Sequence, residues 1–341
     1  MGERTRSFDW SLTALGPVAG WPQSLRSALS ICLNSSFPIA LYWGADLTLL
    51  YNDDWSPIPG TKHPWALGRP AREAWPEIWH IIEPLFGRVL ATGEATRSKD
   101  QLLPMHRHGF TEECYFDYTF SPIRGESGAV EGVFNAVLET TTRVVGERRL
   151  RTLRELAAWK SGGDESEADA CRTAARIIDG NPHDLSFALI YLVDESGRAV
   201  LAGQSRLERD TPASPAAIDL AAPDAPWPLR RAVETGRAVE VDDLTPTFGP
   251  LPGGAWPEPA HRAVVLPLVK PGQTPTGFVV AGVSPRLPFN DEYRGFLDLL
   301  AGHVAAAVAS ARAYGEEKRR AEALAELDRA KTAFFSNVSH E

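Results

Sequence analysis

The feature that most restricts this chain is its final stretch. From Asn290 to Glu341 no proline occurs, and Gly295, Gly302 and Gly315 are the only residues that weaken a helix. A helix of roughly fifty residues is several times the globular mean. Its first part is apolar, with Phe296, Leu297, Leu300, Val304 and Val308. Past Tyr314 it reads GEEKRRAEALAELDRAK, and the apolar residues thin to Ala321, Leu324 and Leu327. A helix so long and so polar is not held by its own domain; it needs a partner helix along a narrow seam, a coiled coil. The three seam residues are spaced three apart twice, which predicts a local discontinuity. The rival reading, a solitary charged helix, is marginal in water.

The rest of the chain has room for two ordinary domains in its 341 residues. Apolar residues make up 43% and charged residues 23%, the globular range. A net charge of −9 argues against a nucleic-acid backbone and against an anionic membrane surface as partners. Cys32, Cys114 and Cys171 are far apart, without the spacing of a zinc site or a disulfide framework. No run of about 18 uninterrupted apolar residues is present, so no membrane span is expected. MGERTRSFDW lacks a signal-peptide core, and Arg6 stands where myristoylation wants Ser or Thr. The expected location is the cytoplasm.

Periodicity then places the elements. Residues 1–34 form a helical cap, with Leu25, Ala28, Leu29 and Cys32 at helical spacing. FPIALYW (37–43) and LTLLYN (47–52) are strands around the turn Gly44-Ala45-Asp46, and residues 75–94 are a helix that Pro84 should kink and Gly93 should end. SKDQLLPM (98–105), EECYFDYTFSPI (112–123) and VEGVFNAVLET (130–140) are three further strands. The order predicts an α+β domain over 35–142, a five-stranded antiparallel sheet with helices on one face. Residues 143–163 are a charged connecting helix and linker. A second antiparallel-sheet domain spans 164–314, starting with the amphipathic ESEADACRTAARIIDG and closing with the hairpin RAVVLPLVK/GFVVAGVSP (262–270 and 277–285). TPTFGPLPGGAWPEPA (245–260) is read as irregular. The remainder, 315–341, is the coiled-coil helix.

That helix carries the residues with the clearest chemistry. Leu327, Phe334 and Val338 share one helical face, and His340 falls off it toward solvent with Glu341 beside it. An imidazole next to a carboxylate is a nucleophile with a base at hand. FFSNVSHE resembles the start of the H-box of sensor histidine kinases, matching at Phe334, Asn337, Ser339, His340 and Glu341. The resemblance implies that His340 is the phosphoacceptor and Glu341 its acid/base neighbour. The family pattern continues with an apolar–Arg–Thr–Pro run and a nucleotide-binding domain, neither in this sequence. The expectation is therefore the front part of a longer kinase, cut inside the H-box and inactive alone. ATP and Mg would act in the missing domain.

The upstream halves resemble that family's sensory modules: a PAS domain over residues about 35–145 and a GAF domain over about 164–314. The resemblance implies a homodimer through the terminal helix, a response regulator as partner of the whole protein, and a possible small-molecule signal. The alternative is a PAS–GAF small-ligand receptor controlling a non-kinase effector. No flavin-adduct or bilin cysteine context is found, and no cofactor is expected with any firmness. His80, on the helix after WPEIW, stands about where haem-binding PAS domains place an axial ligand; it also reads as an ordinary packed or half-exposed residue. His106 and His108 in MHRHG are too few for a metal site and suit a solvated turn. Seven of the ten tryptophans fall in the first 80 residues, as a large aromatic core or a pocket lining.

Overall fold

The computed structural model describes residues 1–159, 166–269 and 274–338, with side chains through residue 329. The chain divides into two units, Met1–Gly146 and Glu147–Glu341. The architecture is α+β with antiparallel sheets in both units and a long C-terminal helix.

In the first unit α1 (Gly2–Ser7) and α2 (Gln23–Asn34) precede β1 (Ile39–Trp43) and β2 (Thr48–Tyr51). Next come α3 (Ala71–Ala74), α4 (Trp79–Thr92), β3 (Thr96–Leu102), β4 (Met105–Arg107), β5 (Phe110–Glu112), β6 (Tyr115–Arg124) and β7 (Val130–Glu139). The sheet order is β2-β1-β7-β6-β3, every neighbour antiparallel. The expected strand 98–105 is two pieces: β3 stops at Leu102, and Met105 opens the separate β4–β5 hairpin beyond Pro104, which has no N–H for a ladder. Helix α4 starts at Trp79 rather than residue 75, because Pro76 disfavours helical backbone at Trp75. Pro84 lies inside an unbroken span, and Gly93 ends it in the left-handed region at φ 68°.

Helices cover both faces of this sheet, which corrects the expectation of one. Tyr42 points toward α4, with its ring 4.7 Å from that of Phe86. Leu41 and Leu50 pair across β1 and β2 on the opposite face and are fully buried. Helix α2 contacts β1, β2 and β6 there. Its first turn is fixed by Glu126 of the β6–β7 turn, which accepts hydrogen bonds from the Ser24 N–H (2.8 Å) and hydroxyl (3.0 Å).

Helix α5 (Thr141–Ala158) leaves β7 and runs into the second unit. There α6 (Glu167–Asp179) opens with a reciprocal capping box between Ser166 and Asp169. It is followed by β8 (Leu185–Val193), β9 (Arg198–Ser205), β10 (Ala217–Asp219), α7 (Leu229–Thr235), β11 (Val239–Asp242), α8 (Thr245–Phe248), β12 (Leu251–Gly253), β13 (Trp256–Ala260), β14 (Arg262–Leu268), β15 (Gly277–Val283) and α9 (Asp291–Val338). The sheet order is β10-β9-β8-β15-β14-β11. Helices α6 and α9 pack on each other and on this sheet. Gly203 permits the approach of α6: a Cβ there would stand 2.4 Å from the Cys171 carbonyl oxygen.

The stretch 245–260 is ordered structure, against expectation. It forms α8 and the two-stranded ladder β12–β13. Pro252, Pro257 and Pro259 mask the strand signal, yet a two-stranded ladder tolerates missing N–H groups on its outer sides. The membrane expectation also needs amending. Helix α9 contains a window of mean hydropathy 1.3, apolar enough by length and composition to span a bilayer. Its large apolar side chains Phe296, Leu297, Leu300, Val304 and Val308 are buried in the second unit.

Candidate functional site

Two features of the molecule bear on function: a cavity in the first unit, and the helices that leave each sheet. The cavity lies between α4 and the sheet face carrying Tyr42, Phe116, Tyr118 and Phe120, with Trp55 and Trp75 closing it. The alternation of β1, β6 and β7 delivers these side chains to one face. Tyr42, Phe86 and Phe120 pack ring against ring, with centroids 4.3 to 6.3 Å apart. Such contacts add about 0.5–1.5 kcal/mol each beyond burial. The volume is about 40 Å³. Drug-sized ligands and cofactors need roughly 300–1,000 Å³.

No charged residue lines this cavity. Its polar atoms belong to indoles, phenols and Asn135. The Trp75 Nε1–H donates to the Tyr42 hydroxyl at 3.1 Å. The Trp55 Nε1 and Tyr118 hydroxyl are buried without a hydrogen-bond partner. Burial raises the pKa of both Tyr42 and Tyr118; Ser98 tempers the second without meeting it in hydrogen-bond geometry. The tryptophans thus serve both roles open from sequence: Trp10, Trp21, Trp43, Trp55 and Trp75 are core, and two of these also wall the cavity.

The sequence-expected residues fall elsewhere. His80 is exposed on α4 and does not line the cavity, to which α4 contributes Ile82 and its N-cap Ile78. His106 is exposed on β4. His108 sits in the β4–β5 turn at φ 57° and contacts Glu112 at 2.7 Å, a solvated turn as expected. Among the described residues no group of His, Cys, Asp or Glu is arranged to hold a metal. Burial pushes the thiols of Cys32 and Cys171 up to about 12 and that of Cys114 higher still, so none is a nucleophile at neutral pH. His340, Glu341 and Ser339 lie outside the described residues. Phe334 and Asn337 are on the α9 backbone.

Helix α5 is tied down in each unit. In the first, Asp100 receives the Thr140 hydroxyl at 2.8 Å and pairs with Arg143. These bonds, Arg143 foremost, hold its carboxyl below the usual range. Arg107 joins Glu112 (2.5 Å) and Glu139 (2.7 Å) just ahead of α5. In the second unit the fully buried Asp184 takes Arg148 at 2.6 Å and Arg149 at 2.8 Å. Arg149 lies 4.2 Å over the Tyr293 ring and 5.4 Å from that of Phe296, both in the first turns of α9. The Tyr293 hydroxyl donates to the Asp184 carbonyl. One residue, Asp184, therefore joins the incoming helix through its carboxylate to the root of the outgoing one through its backbone carbonyl. Sequence reasoning missed this clamp, since Asp184 and its partners are far apart along the chain.

Two stretches of the chain match known domain families. Residues 33–145 match the PAS fold and residues 164–309 match the GAF domain, in that order. The chain thus carries a PAS domain followed by a GAF domain. Solved structures similar to it include the GAF domain of a phosphoenolpyruvate-protein phosphotransferase from Acinetobacter, 18% identical with a TM-score of 0.36, covering 50% of this chain and 95% of that one. The GAF domain of the corresponding protein from Coxiella burnetii is 18% identical with a TM-score of 0.38, covering 50% and 98%. A type II free methionine-R-sulfoxide reductase from Thermoplasma acidophilum is 15% identical with a TM-score of 0.32, covering 42% and 92%. Likeness at this level transfers no activity.

Proposed function

We propose that this chain is the cytoplasmic sensory and dimerisation region of a two-component sensor histidine kinase. A signal enters at the PAS cavity or the GAF domain. It shifts the equilibrium between two arrangements of the α5–α9 junction, and α9 carries the change to His340. In the whole protein the γ-phosphoryl of ATP passes to the His340 imidazole, with Glu341 orienting the ring and accepting its proton. A response-regulator aspartate then takes the phosphoryl group.

One observation carries this reading: a single helix, α9, runs from the GAF core to the residues that resemble an H-box. Its far part has the exposure a dimer seam requires. Every residue from Glu316 to Arg329 is exposed, with Leu324 at 70% and Leu327 at 72%. Leu299, exposed at 58% on the GAF portion, stands in seven-residue register with Ala306, Ala313, Arg320 and Leu327, a series that Arg320 interrupts.

The test is phosphorylation of the parent protein, including its ATP-binding domain, with γ-labelled ATP. Acid-labile, base-stable label on the wild type that His340→Gln abolishes is the expected result. Label that survives the substitution refutes the assignment.

A further inference from the structure

We infer that the PAS cavity is a site for a small neutral hydrogen-bond acceptor, about the bulk of acetone, held by the Trp55 indole N–H. This rests on the reading of the first unit as a sensory domain with a ligand pocket, and it adds the chemical class. Trp55 is 2% exposed, it lines the cavity, and its Nε1 has no hydrogen-bond partner. Buried donors almost always have partners, so an orphan beside an open volume calls for one.

The surroundings narrow what that partner is. An indole nitrogen only donates, so the ligand must accept. The Tyr118 hydroxyl is also unpartnered, and the Tyr42 hydroxyl, already accepting from Trp75, has its own proton to give. The cavity therefore offers several donors. With no cationic side chain in the wall, an anion would be desolvated without compensation. A cation would meet aromatic faces, but it has no lone pair to accept from the Trp55 N–H and finds no anionic partner in the wall. The aromatic and aliphatic lining suits a carbon skeleton. A volume of about 40 Å³ is far below the roughly 300–1,000 Å³ of drug-sized sites, which restricts the ligand to a compact molecule. A compact ketone, aldehyde or sulfoxide meets every condition.

The experiment is a ¹H–¹⁵N titration of the whole chain with acetone, reading the tryptophan indole cross-peaks, with the Trp55 peak assigned by its loss in Trp55→Phe. Acetate serves as the anionic probe of the same shape, and xenon as the apolar probe of the cavity itself. The Trp55 indole proton should move downfield and saturate with acetone, and stay still with acetate. Trp55→Phe should weaken acetone binding, read at the Ile78 and Ile82 methyls, by about tenfold, the loss of one net hydrogen bond. If that variant does not fold, the saturable indole shift in the wild type decides.

Other outcomes overturn the proposal in distinguishable ways. Xenon shifting the methyls while acetone leaves the indole unmoved marks an ordinary apolar pocket: the class fails and the pocket stands. Acetate binding as tightly as acetone removes the neutral class. A ring-current-shielded Trp55 proton indifferent to acetone means it points at the face of the Trp75 ring, the two rings being T-shaped with centroids 5.7 Å apart at 73°. If neither acetone nor xenon binds, the pocket reading itself fails.

Discussion

The two ends of helix α9 obey opposite rules. At its root, Tyr293, Phe296, Leu297, Leu300, Val304 and Val308 are buried against α6, β14 and β15, and Arg149 presses on the first two rings from α5. Beyond Gly315 the same helix has no covered residue up to Arg329. The root is stabilised by its own domain; the tail is not, since isolated helices of this composition are marginal. Changes at the root should therefore alter domain stability and leave association alone. Changes at the tail should do the reverse.

The largest expected effect is at the Asp184 clamp. Asp184→Ala leaves two arginines facing a buried void where their counter-charge was. Removal of one partner from a buried pair typically costs about 3–5 kcal/mol. Urea unfolding of the second unit should show a loss of that size, with Tyr293 and Phe296 losing packing together. A change under about 1 kcal/mol would mean that the clamp is incidental to the root.

A much smaller effect is expected at Asp298, on the groove between α9 and β14. Partial burial raises its pKa, although its surface remains exposed, so the effect is discounted for solvent screening. With the folded-state pKa above the unfolded value, the native state holds its proton more tightly. Stability then falls as pH rises from about 4 toward the folded pKa, and stays lower above it. Asp298→Asn should raise the melting temperature by about a degree at neutral pH and by nothing near pH 3. An equal gain at both pH values would point to packing rather than charge.

How much of this was legible from sequence depends on distance along the chain. β6 and β7 were clear because ten-residue runs rich in aromatic and β-branched residues flank a glycine turn. Helix α9 was clear because nothing breaks it. The β12–β13 ladder was hidden by its prolines. The second face of the PAS sheet was hidden because α2 reaches β1 and β2 through folding, not through spacing. The cavity and the Asp184 clamp were invisible for the same reason: Trp55 and Tyr118, or Arg149 and Tyr293, become neighbours only in the folded chain. The His340 assignment rests on resemblance alone and lies outside the described residues.

The claim that matters most is that the exposed tail of α9 is a seam between two copies. Sedimentation equilibrium of the whole chain at tens of micromolar tests it directly. The account predicts twice the 37.2 kDa chain mass, falling to one chain mass in Leu324→Glu/Leu327→Glu with both domain melting transitions unchanged. A wild-type monomer, or a dimer indifferent to those two substitutions, would contradict it.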